Sequence, residues 1–325
     1  MSYSIDKVET VSAVDPRIVD TKTKYIVLTG GESVTQQTYQ AETYTNSLVS
    51  WAVTTNSPSV FLDRRFMVKM SFSVNIPQTN VKPLDTNGFG PRCLPLSSCC
   101  NTVSLTINGE QTSIQLGDMV HALVHYNNTL KCKTGTFSGS AAMPDYYSTY
   151  LYAQNTNRNP FENAKDNSAE IPRGAILYDS ITGNYNDPGG ITFVFTVEEP
   201  LLISPLATGC GLSEDALYHV QNFGVTMNLD CSRAWSQIAL PANITPVVTV
   251  SGVPTLTCTY ISRKQIAKIP PVLNYRYEKM QLYTNDIGKI DAGAENKPFT
   301  SRNISFPQIP EKLYIYVRRL SLIHI

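Results

Sequence analysis

The sequence predicts an all-β jelly-roll sandwich, and three observations carry that prediction. Arg65–Ile76 (RFMVKMSFSVNI) alternates Phe66, Val68, Met70, Phe72 and Val74 with Met67, Lys69, Ser71, Ser73 and Asn75. That period of two marks a long strand with one buried face. Short apolar or alternating runs, separated by Gly, Pro and Asn, then recur from Lys24 to Ser262. Many strands with turn punctuation argue for packed antiparallel sheets rather than parallel βαβ units. Finally, helical Ala/Glu/Lys/Leu runs are nearly absent, while Thr, Asn, Ser, Tyr and Val are abundant beside 18 Gly and 20 Pro. Those residues suit a pleated surface and its turns. About eight strands in two sheets is the jelly-roll arrangement.

The elements follow in chain order. Residues 1–23 are a polar N-terminal arm, with Asp6, Lys7, Glu9, Asp15, Arg17 and Asp20 and no apolar run of the kind a secretory signal needs. Lys24–Thr29 (KYIVLT) is a strand stopped by Gly30-Gly31. Ser47–Thr54 carries Trp51, and the Arg65–Ile76 strand precedes a Pro/Asn/Gly loop that lasts to Pro95. Val103–Ile107 enters Asn108-Gly109, a dipeptide that favours the type I′ turn, so a hairpin returns along Gln111–Gln115. One short helix follows. Asp118 is its expected N-cap, and Met119, Val120, Leu123 and Val124 recur at helical spacing.

From Lys133 to Asn186 the chain is polar and rich in Tyr, Asn, Pro and Gly. A loop of that length is uncommon without a function, and it reads as an excursion that meets another subunit. Strands resume at Ile191–Glu199. After Leu201–Leu206, a Gly209/Gly211 turn and a helical turn at Ser213–Leu217, strands continue at His219–Leu229, Thr245–Val250 and Thr255–Ser262. Lys268-Ile269-Pro270-Pro271 reads as a linker. Tyr275–Tyr283, Arg302–Phe306 and Lys312–Val317 are expected strands of a second sheet domain.

The chemistry-bearing residues do not form a site. Lys+Arg and Asp+Glu balance at 26 each and charged residues are 16% of the 325, which gives no footprint for nucleic acid or an anionic membrane. No stretch is long and apolar enough to span a bilayer. His121 and His125 lie four apart and share a helix face, yet Ala122 stands where a zinc protease needs Glu, and no third ligand is evident. Glu198 and Glu199 are adjacent on a strand and point to opposite faces, so they cannot converge on one substrate. Cys93, Cys99, Cys100, Cys132, Cys210, Cys231 and Cys258 are odd in number and scattered. They show no Cys-x-x-Cys spacing and are expected to be reduced. No catalytic, cofactor-binding or metal residue is assigned. Tyrosine stands out instead. Tyr146, Tyr147, Tyr150 and Tyr152 cluster in the excursion, and weakly charged aromatic loops are the material of subunit interfaces.

Several phrases carry a family resemblance. Ser104-Leu105-Thr106-Ile107-Asn108-Gly109 followed by strand and helix, the long excursion, Ile171-Pro172-Arg173-Gly174, Pro200-Leu201-Leu202-Ile203-Ser204-Pro205, and Glu311-Lys312-Leu313-Tyr314-Ile315-Tyr316-Val317-Arg318 resemble the double jelly-roll major capsid proteins. These build icosahedral DNA viruses of the virophage, Polinton-like and giant-virus lineage. The resemblance implies two jelly rolls per chain, three chains per pseudo-hexagonal capsomer and a location in the virion. It further implies partners that are copies of the same chain, neighbouring capsomers and minor capsid proteins, with no catalytic residue and no cofactor. A carbohydrate-binding or adhesin-like β-sandwich and a cupin-like jelly-roll enzyme are the competing readings.

On this reading residues 24–265 are the first jelly roll and 266–319 the beginning of a second. Leu320-Ser321-Leu322-Ile323-His324-Ile325 resembles the translation of a transposase adapter used in sequencing libraries. It is read as a foreign tail on a C-terminally truncated chain.

Overall fold

The computed structural model describes residues 8–12, 24–28, 33–55, 60–78, 89–91, 94–127, 178–184, 186–206, 216–237, 245–262, 277–284, 300, 303–306 and 309–315. Strands β1 (Val8–Ser12) and β2 (Lys24–Leu28) pair with each other antiparallel, so part of the expected arm is itself a strand. The main body is a sandwich of two antiparallel sheets.

Eight strands define it: β3 (Ser33–Gln40), β5 (Leu48–Thr54), β7 (Met67–Ile76), β9 (Cys100–Ile107), β10 (Glu110–Ile114), β12 (Ile191–Pro200), β14 (Asn222–Leu229) and β16 (Val247–Ser262). One sheet runs β12-β7-β16 with β3 on β16; the other runs β10-β9-β14-β5. Taken in order, the first of the eight pairs with the last, the second with the seventh, the third with the sixth and the fourth with the fifth. That wrapping is the jelly roll. Short strands extend the edges: β4 (Thr43–Tyr44), β6 (Phe61–Leu62), β11 (Tyr178–Gly183) and β13 (Leu217–Tyr218). A separate small pair joins β8 (Phe89–Pro91) to β15 (Trp235–Gln237).

Alternation fixes the register and the core. Ten pairs join β7 to β12, from Ile191↔Ile76 to Pro200↔Met67. Val68, Met70, Phe72, Val74 and Ile76 therefore line the inner face beside Ile191, Phe193, Phe195 and Val197, all buried. Val49, Trp51 and Val53 of β5 and Phe223, Val225 and Met227 of β14 face them from the other sheet. Phe66 and Phe223 meet across the gap with ring centroids 5.0 Å apart. Trp235 stacks on Phe193 at 5.8 Å and on Phe195 at 6.2 Å. Each such aromatic buries about 150–250 Å², which makes this layer the main source of cohesion between the sheets.

The outer faces carry cross-strand hydroxyl and amide pairs. Ser71 bonds Thr196 at 2.7 Å, Asn75 bonds Thr192 at 2.9 Å and Thr38 bonds Thr257 at 3.1 Å. These cross-strand pairs add to sheet stability without apolar exposure.

Helix α1 (Pro95–Cys99) and helix α2 (Leu116–Asn127), with a 3-10 turn at Cys231–Ala234, close one end of the sandwich. The expectation of a single helix is thus corrected. Five residues buried on every side show no amphipathic period, so α1 has no sequence signature beyond Pro95. Helix α2 starts at Leu116, and Asp118 sits in its first turn instead of at the cap. There its charge still complements the helix dipole.

Two further strands depart from the sequence expectation. β3 and β11 are mostly exposed edge elements whose residues alternate weakly in hydropathy. β11 lies within the stretch expected to be an excursion. The expected helical turn near residue 213 contributes only β13 among described residues. Within 277–284, 303–306 and 309–315 no described residue joins a ladder, although Met280, Leu282 and Tyr314 pack on the core. Sheet pairing needs a partner strand at about 4.8 Å, and none lies beside these segments among the described residues.

Candidate functional site

The polar chemistry of the described residues gathers at the helical end. α1 begins badly on its own terms. Its N-cap is Leu94, held at φ 49, and no side chain from that residue caps the first turn. Leu has no polar atom for the free N–H groups, and the left-handed region is costly for it. Glu199 of β12 supplies what is missing. Its Oε1 accepts from the Leu96 N–H at 3.0 Å, and its Oε2 accepts from the Ser97 N–H at 2.8 Å and the Ser97 hydroxyl at 2.6 Å.

Glu199 is fully buried. Burial pushes its pKa up to about 7, against the three donors that hold it down. Glu198, its neighbour, is exposed on the other face, as the strand period requires.

Next to this clasp, Arg233 ties the 3-10 turn to α2 and to the start of β9. It donates to the Asn101 side chain and to the Gly117 carbonyl at 2.9 Å each, and pairs with Asp118 at 2.6 Å. Gly117 is required there by proximity. A Cβ would lie 2.6 Å from the Cys100 carbonyl oxygen and 2.7 Å from that of Ser98.

Cys99, Cys100, Cys231 and Cys258 are free and buried. Burial drives the Cys231 thiol up to about 12, and Cys99 and Cys258 are also raised by burial. Such thiols are protonated packing groups at neutral pH, far from a nucleophile's range. Among the described residues no three His, Cys, Asp or Glu side chains converge on a metal-sized site. His121 and His125 lie on α2, and their side chains are outside the described residues. No described helix is long and apolar enough to cross a membrane.

The tyrosines singled out in the sequence, Tyr146, Tyr147, Tyr150 and Tyr152, also lie outside the described residues. The described surface also exposes apolar residues in and between the expected strands Arg302–Phe306 and Lys312–Val317. Ile304, Phe306, Ile309, Leu313 and Ile315 are exposed, Ile309 at 95% and Ile315 at 77%. Nearby, an open groove of about 450 Å³ has a mixed wall, with Ile114, Met280 and Leu282 beside Ser113, Gln115 and Gln281. Segment 277–284 is fastened beside it by Tyr277 on Thr112 at 2.9 Å and by the Glu278 N–H on the Ser204 hydroxyl at 2.8 Å.

A comparison with protein families matches residues 6–268 to the family described as Sputnik virophage major capsid protein 1st domain. Among curated proteins, the capsid protein V20 of Sputnik virophage is 25% identical over 339 residues, across 98% of this chain and 56% of that protein. The chain thus spans about half the length of the curated relative it matches. Among solved structures, the cryo-EM structure of the Sputnik virophage superposes with a TM-score of 0.65 at 22% identity, over 83% of this chain and 56% of that one. The crystal structure of the mavirus major capsid protein superposes with a TM-score of 0.53 at 14% identity, over 73% and 48%. At these identities the two structures establish the shared fold.

Proposed function

The chain belongs to the Sputnik virophage major capsid protein first-domain family, and from that premise we propose that it is a structural protein of a virion shell. The observation that carries the proposal is the family match over residues 6–268, joined to a complete jelly-roll wrapping in the same stretch. A rigid sandwich suits the task. Its strands are cross-paired through the whole body, and loops at its ends can change without disturbing the core. The chemistry agrees, because burial raises the Cys99, Cys231 and Cys258 thiols and Glu199 is engaged as a cap.

The finer reading is a homotrimeric, pseudo-hexagonal capsomer. Self-association supplies a use for a chain with few charges and exposed apolar residues. Tyr146, Tyr147, Tyr150 and Tyr152 are the proposed subunit contacts, since interface aromatics are frequent hot spots. Neighbouring capsomers and minor capsid proteins are the other proposed partners, and the virion is the proposed location. Residues 266–319 are proposed as the beginning of a second jelly roll.

Mass spectrometry of purified virus particles tests the proposal. Peptides from residues 24–265 should rank among the most abundant in the particle. Their absence from particles, with abundance in the infected-cell lysate, would remove the structural role.

A further inference from the structure

We propose that Glu199 and the first turn of α1 form a proton-operated latch between the two sheets, closed when the carboxyl is protonated and loosened when it ionises. The idea goes beyond shell building and does not depend on it.

The position of Glu199 makes it a junction. It ends the inner row of β12 in one sheet, while α1 leads without a break into β9 of the other. α1 also packs on α2 and on the Cys231–Ala234 turn. One carboxyl therefore holds the helical end to the opposite sheet through three hydrogen bonds.

Both protonation states fit that geometry. The 2.6 Å contact between Oε2 and the Ser97 oxygen can carry its hydrogen from either side. Ser97 donates to a carboxylate, or the acid donates to Ser97. The two backbone N–H bonds persist in each case. What differs is the charge, which in the ionised form is fully buried.

Among the described residues, the surroundings offer that charge no cation. On α1 its titratable neighbour is the Cys99 thiol, whose own ionisation Glu199 opposes. On β7 the residue opposite is Val68, and Lys69, opposite Glu198 in the register, lies on the other face of the sheet. From the 3-10 turn, Cys231 is a raised thiol and Arg233 is committed to Asp118 of α2. A buried carboxylate without a counter-ion is costly even when hydrogen-bonded.

Linkage fixes the sign. In the unfolded chain the group titrates near 4.5, and in the folded chain near 7. Below the first value both states are protonated and the latch contributes fully. Between the two values the folded state keeps a proton that the unfolded state releases, so stability falls as pH rises. Above the second value the loss is complete.

The test is thermal unfolding of the 325-residue chain and of its Glu199→Gln and Ser97→Ala variants from pH 5 to 8.5. The wild-type Tm should fall relative to Glu199→Gln by about 5 °C across this range, given a few degrees per kcal/mol for a domain of this size. The midpoint of that difference should lie between the unfolded value of 4.5 and the folded value of about 7, with the curve levelling off near neutrality. Ser97→Ala removes a donor that favours the carboxylate and should move the midpoint to higher pH. Parallel wild-type and Glu199→Gln curves would overturn the latch. If Glu199→Gln fails to fold, the wild-type and Ser97→Ala profiles decide: an unshifted midpoint overturns the latch, and an upward shift supports it.

Discussion

Gly117 and Glu199 show how single residues set the helical end. Gly117 occupies a gap between two backbone carbonyls, those of Cys100 and Ser98. Backbone cannot rotate away as a side chain can, so Gly117→Ala should act as overpacking. We expect a loss of about 1–3 kcal/mol, read by denaturant unfolding, together with a weakened Arg233–Asp118 pair. Neither residue was legible in this role from the sequence. The strand period did show that Glu198 and Glu199 face opposite ways, and they do. It held no sign that the inward one would meet α1, because α1 lies about a hundred residues away and has no pattern of its own. The cysteine reading was physical and transferable. Thiols without paired spacing can pack as small apolar groups, and the four described here are buried.

At the scale of elements, legibility followed burial. β7 and β12 have one inner face each, so their sequences alternate plainly and the structure pairs them over ten residues. The Asn108-Gly109 hairpin was equally readable, and Asn108 and Gly109 adopt φ of 49 and 91 as a type I′ turn requires. Gly109→Ala isolates the conformational part of that preference, since a Cβ there would meet nothing within 4 Å. Its cost should be about 1 kcal/mol, smaller than that of Gly117→Ala, and comparative unfolding curves would show the order. β3 was missed for the opposite reason. Its sequence SVTQQTYQ has Tyr39 half-buried and its other classified residues exposed, so only pairing with β16 makes it a strand. Nor does alternation guarantee a ladder. Leu313 and Ile315 alternate with polar neighbours as a strand would, yet they are exposed and unpaired among the described residues.

The whole molecule gains its identity from wrapping rather than from any one motif. Pairing of first strand with last, second with seventh, third with sixth and fourth with fifth cannot be read from local pattern. It emerges when two faces of similar width close on one aromatic layer. Composition gave the class, and the short phrases around Asn108 and Pro200 gave the lineage. Assembly remains the property on which the functional reading stands or falls. Light scattering on protein expressed from the complete reading frame, alongside a variant with Tyr146, Tyr147, Tyr150 and Tyr152 changed to Ser, measures it directly. A trimer mass for the wild type at micromolar concentration, with dissociation of the variant at that concentration, is the expected result. A wild-type protein that stays a stable monomer would contradict a role in building shells.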